Sequence, residues 1–197
     1  MEKGVSFRRP EIIERKANAI LQKAKEKGFY NFDSATPIDL IVEKIFRLRM
    51  NFVDLNKSFQ GVLGALDLKN KRIWIDESLN HTISDNSDFT TEARCNYTIA
   101  HEGGHYVFHR PQYRKAENLA LFHDSSDPRT KALETQANMF ASYILMPKVL
   151  MIKKWGEIDH NNFAADQVIG EMMRFFRVSR ETMVYKLKFL GLLDPSY

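Results

Sequence analysis

Apolar residues recur at helical spacing near the start of the chain and again through its second half, and between these regions the period shortens toward two. Ile13, Ala17, Ile20, Leu21 and Ala24 form one stripe, and Pro10 before it and Gly28 after it are placed as start and stop signals for a first helix. A second helix is expected from Thr36-Pro37, with Thr36 as its cap and Ile38, Ile41, Val42 and Ile45 facing inward. Met50 to Asp54, Gly61 to Asp67 and Arg72 to Asp76 then read as short strands, the last two joined by a turn at Lys69-Asn70-Lys71. Thr91 to Ala100 lacks proline and glycine, so a long helix should follow, capped by Asp88, Thr90 or Thr91. Leu133, Ala137, Phe140, Ala141 and Ile144 mark another helix, starting near Asp127-Pro128 and stopping at Pro147. Arg110 to Arg129 reads as the loop between these two. Trp155-Gly156 and His160-Asn161-Asn162 suggest a joint, after which Phe163 to Phe176 and Ser179 to Leu190 repeat the helical period, with Ser179 as a cap. The order of elements predicts an α+β fold, helices on a small mixed sheet over residues 8–150, with a small helical domain over 151–197.

The chemistry is concentrated in His101-Glu102-Gly103-Gly104-His105. Helical positions four apart are separated by about 6 Å of rise and about 40° of rotation, so His101 and His105 share a face and can share a metal ion. Glu102, about 100° round the turn, can reach water held by that ion. Two ligands and a general base are what a metalloprotease needs, and a surface helix with two unrelated histidines is the alternative. Gly103 and Gly104 cost about 1 kcal/mol each in mid-helix, which calls for close approach of another backbone. His109 lies about 12 Å from His101 along the helix, too far to share an ion, so a supporting or packing role suits it better. The better third ligand is Glu134, at the edge of its helix's apolar stripe beside small residues, where a carboxylate without a partner is costly. A solvated helix acid is the competing reading of Glu134.

Tyr97-Thr98-Ile99-Ala100-His101-Glu102-Gly103-Gly104-His105 and Glu134-Thr135-Gln136-Ala137-Asn138-Met139-Phe140-Ala141 resemble the two signatures of the ImmA/IrrE family of metallopeptidases. The resemblance implies a zincin-like fold, His101, His105 and Glu134 as metal ligands and Glu102 as base. It also implies a site-specific endopeptidase that cleaves a helix-turn-helix repressor and so switches on phage, mobile-element or stress genes. Asn96-Tyr97 and Gly103 depart from the residues common in the family at those places. Two imidazoles and a carboxylate favour zinc (Zn2+), and Mn2+ or Fe2+ would accept the same ligands.

With 44% hydrophobic and 27% charged residues the composition is that of an ordinary soluble protein. The first nine residues contain no apolar leader core, and no run approaches about 18 uncharged residues, so a cytoplasmic protein with no membrane partner is expected. A single cysteine, Cys95, excludes an internal disulfide and reads as a buried helix thiol. Loop residue His123 could reach the metal site to stabilise an oxyanion, and a solvated histidine is the alternative. The C-terminal helix pair has a helix-turn-helix cadence in which Arg180, Lys186 and Lys188 could meet DNA phosphates, but Met183, Val184, Leu187 and Leu190 are spaced as a core stripe. We read it as an accessory domain that helps recognise a protein substrate. The rivals are a DNA-binding regulator with a structural metal and the toxin of a toxin-antitoxin pair acting through the same site. The intact Glu102 speaks against the first, because a structural site needs four protein ligands and no base.

Overall fold

The stripe of the first helix is buried where its period places it: α1, Pro10–Glu26, has Ile13, Ala17, Ile20, Leu21 and Ala24 in the core. The structure is a computed structural model that describes residues 8–57, 59–80, 89–110, 128–160 and 162–197. After α1 come a short α2 (Ile38–Ile41) continuing into a π-helical turn (Val42–Phe46), then β1 (Arg49–Val53), β2 (Gly64–Asp67) and β3 (Arg72–Asp76). Five helices follow: α3 (Phe89–Phe108), α4 (Pro128–Leu145), α5 (Lys148–Glu157), α6 (Ala165–Phe176) and α7 (Arg180–Phe189). The fold is α+β, with seven described α-helices around one small mixed sheet. No described helix is long and apolar enough to cross a membrane.

The sheet order is β1-β3-β2, with β1 parallel and β2 antiparallel to β3. Arg72–Asp76 is therefore the central strand, paired on both sides. Gly64–Asp67 is an edge, and it lies against α3. A Cβ at Gly64 would stand 2.5 Å from Thr98 Cγ2 and 3.1 Å from Glu102 Oε1, so strand and helix meet this closely only because residue 64 is glycine.

Several local expectations yield to tertiary contacts. Thr36 does not cap α2; its buried hydroxyl donates to Ile144 O at 2.8 Å, a carbonyl in the last turn of α4 that has no partner within its own helix. Thr90 and Thr91 lie inside α3, whose first residue is Phe89, and Asp88 lies outside the described residues. Trp155-Gly156 is not a joint but part of α5, because Leu150 and Met151 bury that helix's inner face and offset the weak propensity of Gly156. The C-terminal pair is as expected: Arg177 turns the chain with φ 53°, and the Ser179 side chain accepts from Thr182 N to cap α7. Its buried residues, from Ile169 to Leu187, belong to the same continuous hydrophobic core as α1, α3 and α4.

The three basic residues of that pair that could have met phosphates are engaged within the fold. Lys186 is 1% exposed, with its ammonium 4.4 Å from the Tyr143 ring centre, so it cannot reach a phosphate backbone. Arg180 pairs with Asp166 and Tyr197, and Lys188 Nζ donates to Pro195 O and Tyr197 O, both at 2.9 Å.

Helix α3 packs closely on α4 at Gly104. A Cβ at Gly104 would sit 2.9 Å from Ala137 Cα and 3.1 Å from its carbonyl oxygen. Gly104→Ala should therefore lower stability by about 1 kcal/mol or more, because forcing rigid backbone apart outweighs the roughly 1 kcal/mol gained in helix propensity. Urea denaturation decides, and a more stable variant would contradict the close packing.

Candidate metal centre

One helical turn of α3 carries His101, Glu102 and His105, and α4 brings Glu134 across the gap that Gly104 and Ala137 keep narrow. His101 Nε2 lies 3.1 Å from Glu134 Oε2, His105 Nε2 lies 3.2 Å from Glu134 Oε1, and the two Nε2 atoms are 3.0 Å apart. Among the described residues these three side chains form the one group of His, Cys, Asp and Glu that could hold a metal ion. Glu102 is 2% exposed and stands beside Gly64 at the edge strand.

A second layer orients the imidazoles. The Asn138 carboxamide oxygen is 2.9 Å from His101 Nδ1 and also accepts from the Tyr97 hydroxyl at 3.2 Å. An amide oxygen can only accept, so His101 Nδ1 carries the proton and Nε2 keeps its lone pair for the shared centre. The periodicity of α4 could have revealed Asn138: it stands four residues after Glu134, on the same face, yet sequence reasoning gave it no role. His109 is fully buried, its Nδ1 3.0 Å from His105 Nδ1, in keeping with a supporting place rather than a ligand. His123 lies outside the described residues.

The electrostatics separate the two carboxylates. Burial works to raise the Glu134 carboxyl, but His101 and His105 hold it far below the usual carboxylate range. Burial opposes the charged form of His101, and Glu134, Glu102 and Asn138 more than reverse this, so its pKa is raised. Glu102 has no such support: burial pushes it up to about 7, His101 opposing and Glu134 adding to the rise. Burial, with His105 and Arg8 close by, pushes His109 down to about 3, so its ring is neutral. Cys95, buried, is pushed up to about 11 and stays a thiol.

The donor set fits a divalent ion. A tetrahedral ion with bonds of about 2.1 Å keeps neighbouring donors about 3.4 Å apart, and the contacts given above fall close to that spacing. Glu134 Oε1 is also buried without a well-formed hydrogen bond, the state of an oxygen suited to a cation. Because an ion must displace the proton that Glu134 helps hold on His101, metal uptake should weaken as pH falls.

Two outcomes follow. Wild-type protein at a free metal concentration of 100 times Kd should gain about 2.7 kcal/mol of stability, and Glu134→Ala should gain almost none while losing its stoichiometric metal. Retention of one ion at wild-type affinity by that variant, measured by elemental analysis and chelator competition, would show the third ligand to be misassigned. Separately, in metal-free protein the folded chain binds the Glu102 proton more tightly than the unfolded chain does. The stabilisation this represents is complete below pH 4.5 and is lost as pH rises through about 7. Wild-type stability relative to Glu102→Gln should then fall by on the order of 3 kcal/mol across that window. A difference that is flat with pH would mean Glu102 titrates normally.

Comparison with known proteins identifies the family. Residues 59–188 match the model of the IrrE N-terminal-like domain, a peptidase family, and the matched span contains all four site residues. A solved structure of a Mycobacterium tuberculosis transcriptional regulator shares the fold, with a TM-score of 0.55 and 14% identity over 91% of this chain. The chain spans about 60% of that regulator's length. Among curated proteins no significant match is found. The family match covers well over half of the chain, which therefore belongs to the ImmA/IrrE family of metallopeptidase domains.

Proposed function

We propose that this chain is a cytoplasmic metallo-endopeptidase, with zinc as its ion, that hydrolyses one specific protein, a helix-turn-helix transcriptional repressor. The observation that carries the reading is a buried, protonatable Glu102 beside a cluster of three donors among the described residues. A structural zinc site closes its shell with four protein ligands, whereas a hydrolytic site keeps a position open and places a base next to it. Manganese or iron(II) would suit the same donors.

When bound, such an ion acts as a Lewis acid on a carbonyl and makes water nucleophilic near neutral pH. The chain's own groups do the rest. His101, His105 and Glu134 would hold the ion, with Asn138 fixing the His101 ring. Glu102, whose affinity for protons lies near neutrality, can take a proton from the attacking water and return it to the leaving amine. Its burial keeps competing bulk water away from the carboxylate.

Two features suggest how a polypeptide is held. The strand β2 is paired on one side only among the described residues and runs past Glu102 at Gly64, so an extended segment could add to that edge through main-chain hydrogen bonds. A cleft of about 520 Å³ opens between α4 and α7, lined by Tyr97 and Asn138 from the surroundings of His101 and by Tyr185 and Phe189 of α7. Tyr185 and Phe189 are 70% and 60% exposed, large apolar surfaces of the kind that bind protein. The C-terminal helices thus border the site through this cleft, which supports a part in choosing the substrate.

Glu102→Gln keeps the size of the side chain and removes the base, a contribution of about 10² to 10⁴ in rate. Co-expressed with the product of the neighbouring gene, wild-type protein should fragment it at one position, and Glu102→Gln should leave it intact while retaining its metal. Fragmentation at the wild-type rate by the variant, followed by mass mapping, would rule out this hydrolase.

A further inference from the structure

We infer that His109 and Gln136 form the outer end of a hydrogen-bond relay that fixes the tautomer of His105 and thereby strengthens metal binding. The inference rests on the reading of His101, His105 and Glu134 as the ligands. His105 Nδ1 and His109 Nδ1 are 3.0 Å apart, a separation that requires one proton, and one only, between them. If His105 turns the lone pair of Nε2 toward Glu134 and His101, its proton is on Nδ1. His109 must then accept at Nδ1 and carry its own proton on Nε2.

That far nitrogen decides whether the ring is merely packed. His109 Nε2 and Gln136 Oε1 are both buried without a well-formed hydrogen bond, one a donor in this tautomer and the other an acceptor. Gln136 Nε2 donates to Ala132 O at 3.2 Å, which settles the orientation of the amide and leaves its oxygen for His109. Joining them removes two buried orphan groups, each of which is unfavourable when left unpaired. The chain of donors then runs from His105 Nδ1 to His109 Nδ1 and from His109 Nε2 to Gln136 Oε1. It is built on the same two helices as the ligands, with His109 just past the end of α3, four residues after His105, and Gln136 two after Glu134. A ring in this position that served only to fill space could be phenylalanine, whereas a relay needs an acceptor facing His105. Partners of this kind fix ring orientation and raise ligand basicity, and their loss typically costs about 10- to 100-fold in metal affinity.

The test is zinc affinity of the full chain, measured by competition with a chromogenic chelator, alongside the thermal midpoint of the metal-free protein. His109→Phe keeps the ring volume and removes the acceptor. It should bind zinc about 10- to 100-fold more weakly while its metal-free midpoint stays at or above that of wild type. His109→Asn places an amide oxygen where Nδ1 was and should recover most of the affinity. Gln136→Leu should weaken binding in the same direction as His109→Phe. Wild-type affinity in His109→Phe, or equal weakness in the Phe and Asn variants, overturns the relay. If His109→Phe does not fold, wild-type affinity in Gln136→Leu overturns it equally. Glu134→Ala separates the two levels: if it keeps wild-type affinity, the ligand assignment fails, whereas if it loses zinc and His109→Phe does not, only the relay fails.

Discussion

The contact on which the site depends is the one between the backbones of α3 and α4. Glu134 belongs to a different helix from the two imidazoles, and it reaches them only because Gly104 allows Ala137 to approach to the distance of a missing Cβ. Glycine in mid-helix is unfavourable on its own, and here the cost is offset by what the approach permits: a carboxylate and two rings within hydrogen-bond distance of one another. The neighbouring Gly103 plays the same part toward the Phe46 ring, and Gly64 toward Thr98 and Glu102. Phe46 is itself held at the end of a π-helical turn, with its carbonyl accepting from the Tyr106 hydroxyl of α3 at 3.1 Å.

That geometry sorts the two carboxylates by environment. Glu134, with an imidazole against each oxygen, is kept ionised despite burial, while Glu102, one residue after His101 but turned about 100° away from it, is pushed up to about 7. A permanently charged acid suits holding a cation, and an acid poised near pH 7 suits carrying a proton. The division follows from spacing: Glu134 faces His101 and His105 across the helix gap, whereas Glu102 lies about 100° round α3 from His101.

Much of this was legible in the sequence because the signals were local. Positions 101 and 105 share a face on any helix, and the stripe from Leu133 to Ile144 set the phase of α4 and put Glu134 at its edge. The glycine pair announced a close approach, and the structure supplies the partners. What escaped were choices made between distant segments. Thr36 reads as a cap until Ile144 O, far along the chain, claims its hydroxyl. Lys186 reads as a surface cation until Tyr143 covers it. Trp155-Gly156 reads as a break until the buried side of α5 holds the helix together. Asn138 lay in plain view, but its role is visible only once α3 is laid against α4. The edges of the sheet also depended on strand order, which a hairpin pattern cannot give, since β1 pairs with β3 and leaves β1 and β2 as the two edges.

X-ray absorption spectroscopy of the zinc-loaded protein tests the central claim most directly, since it reads the ligand atoms around the ion. The account predicts four-coordinate zinc with two imidazole nitrogens and two oxygens at about 2.0–2.2 Å, one oxygen from Glu134 and one from solvent. A shell at about 2.3 Å, the distance of a thiolate from Cys95, or a third imidazole in place of the carboxylate, would contradict it.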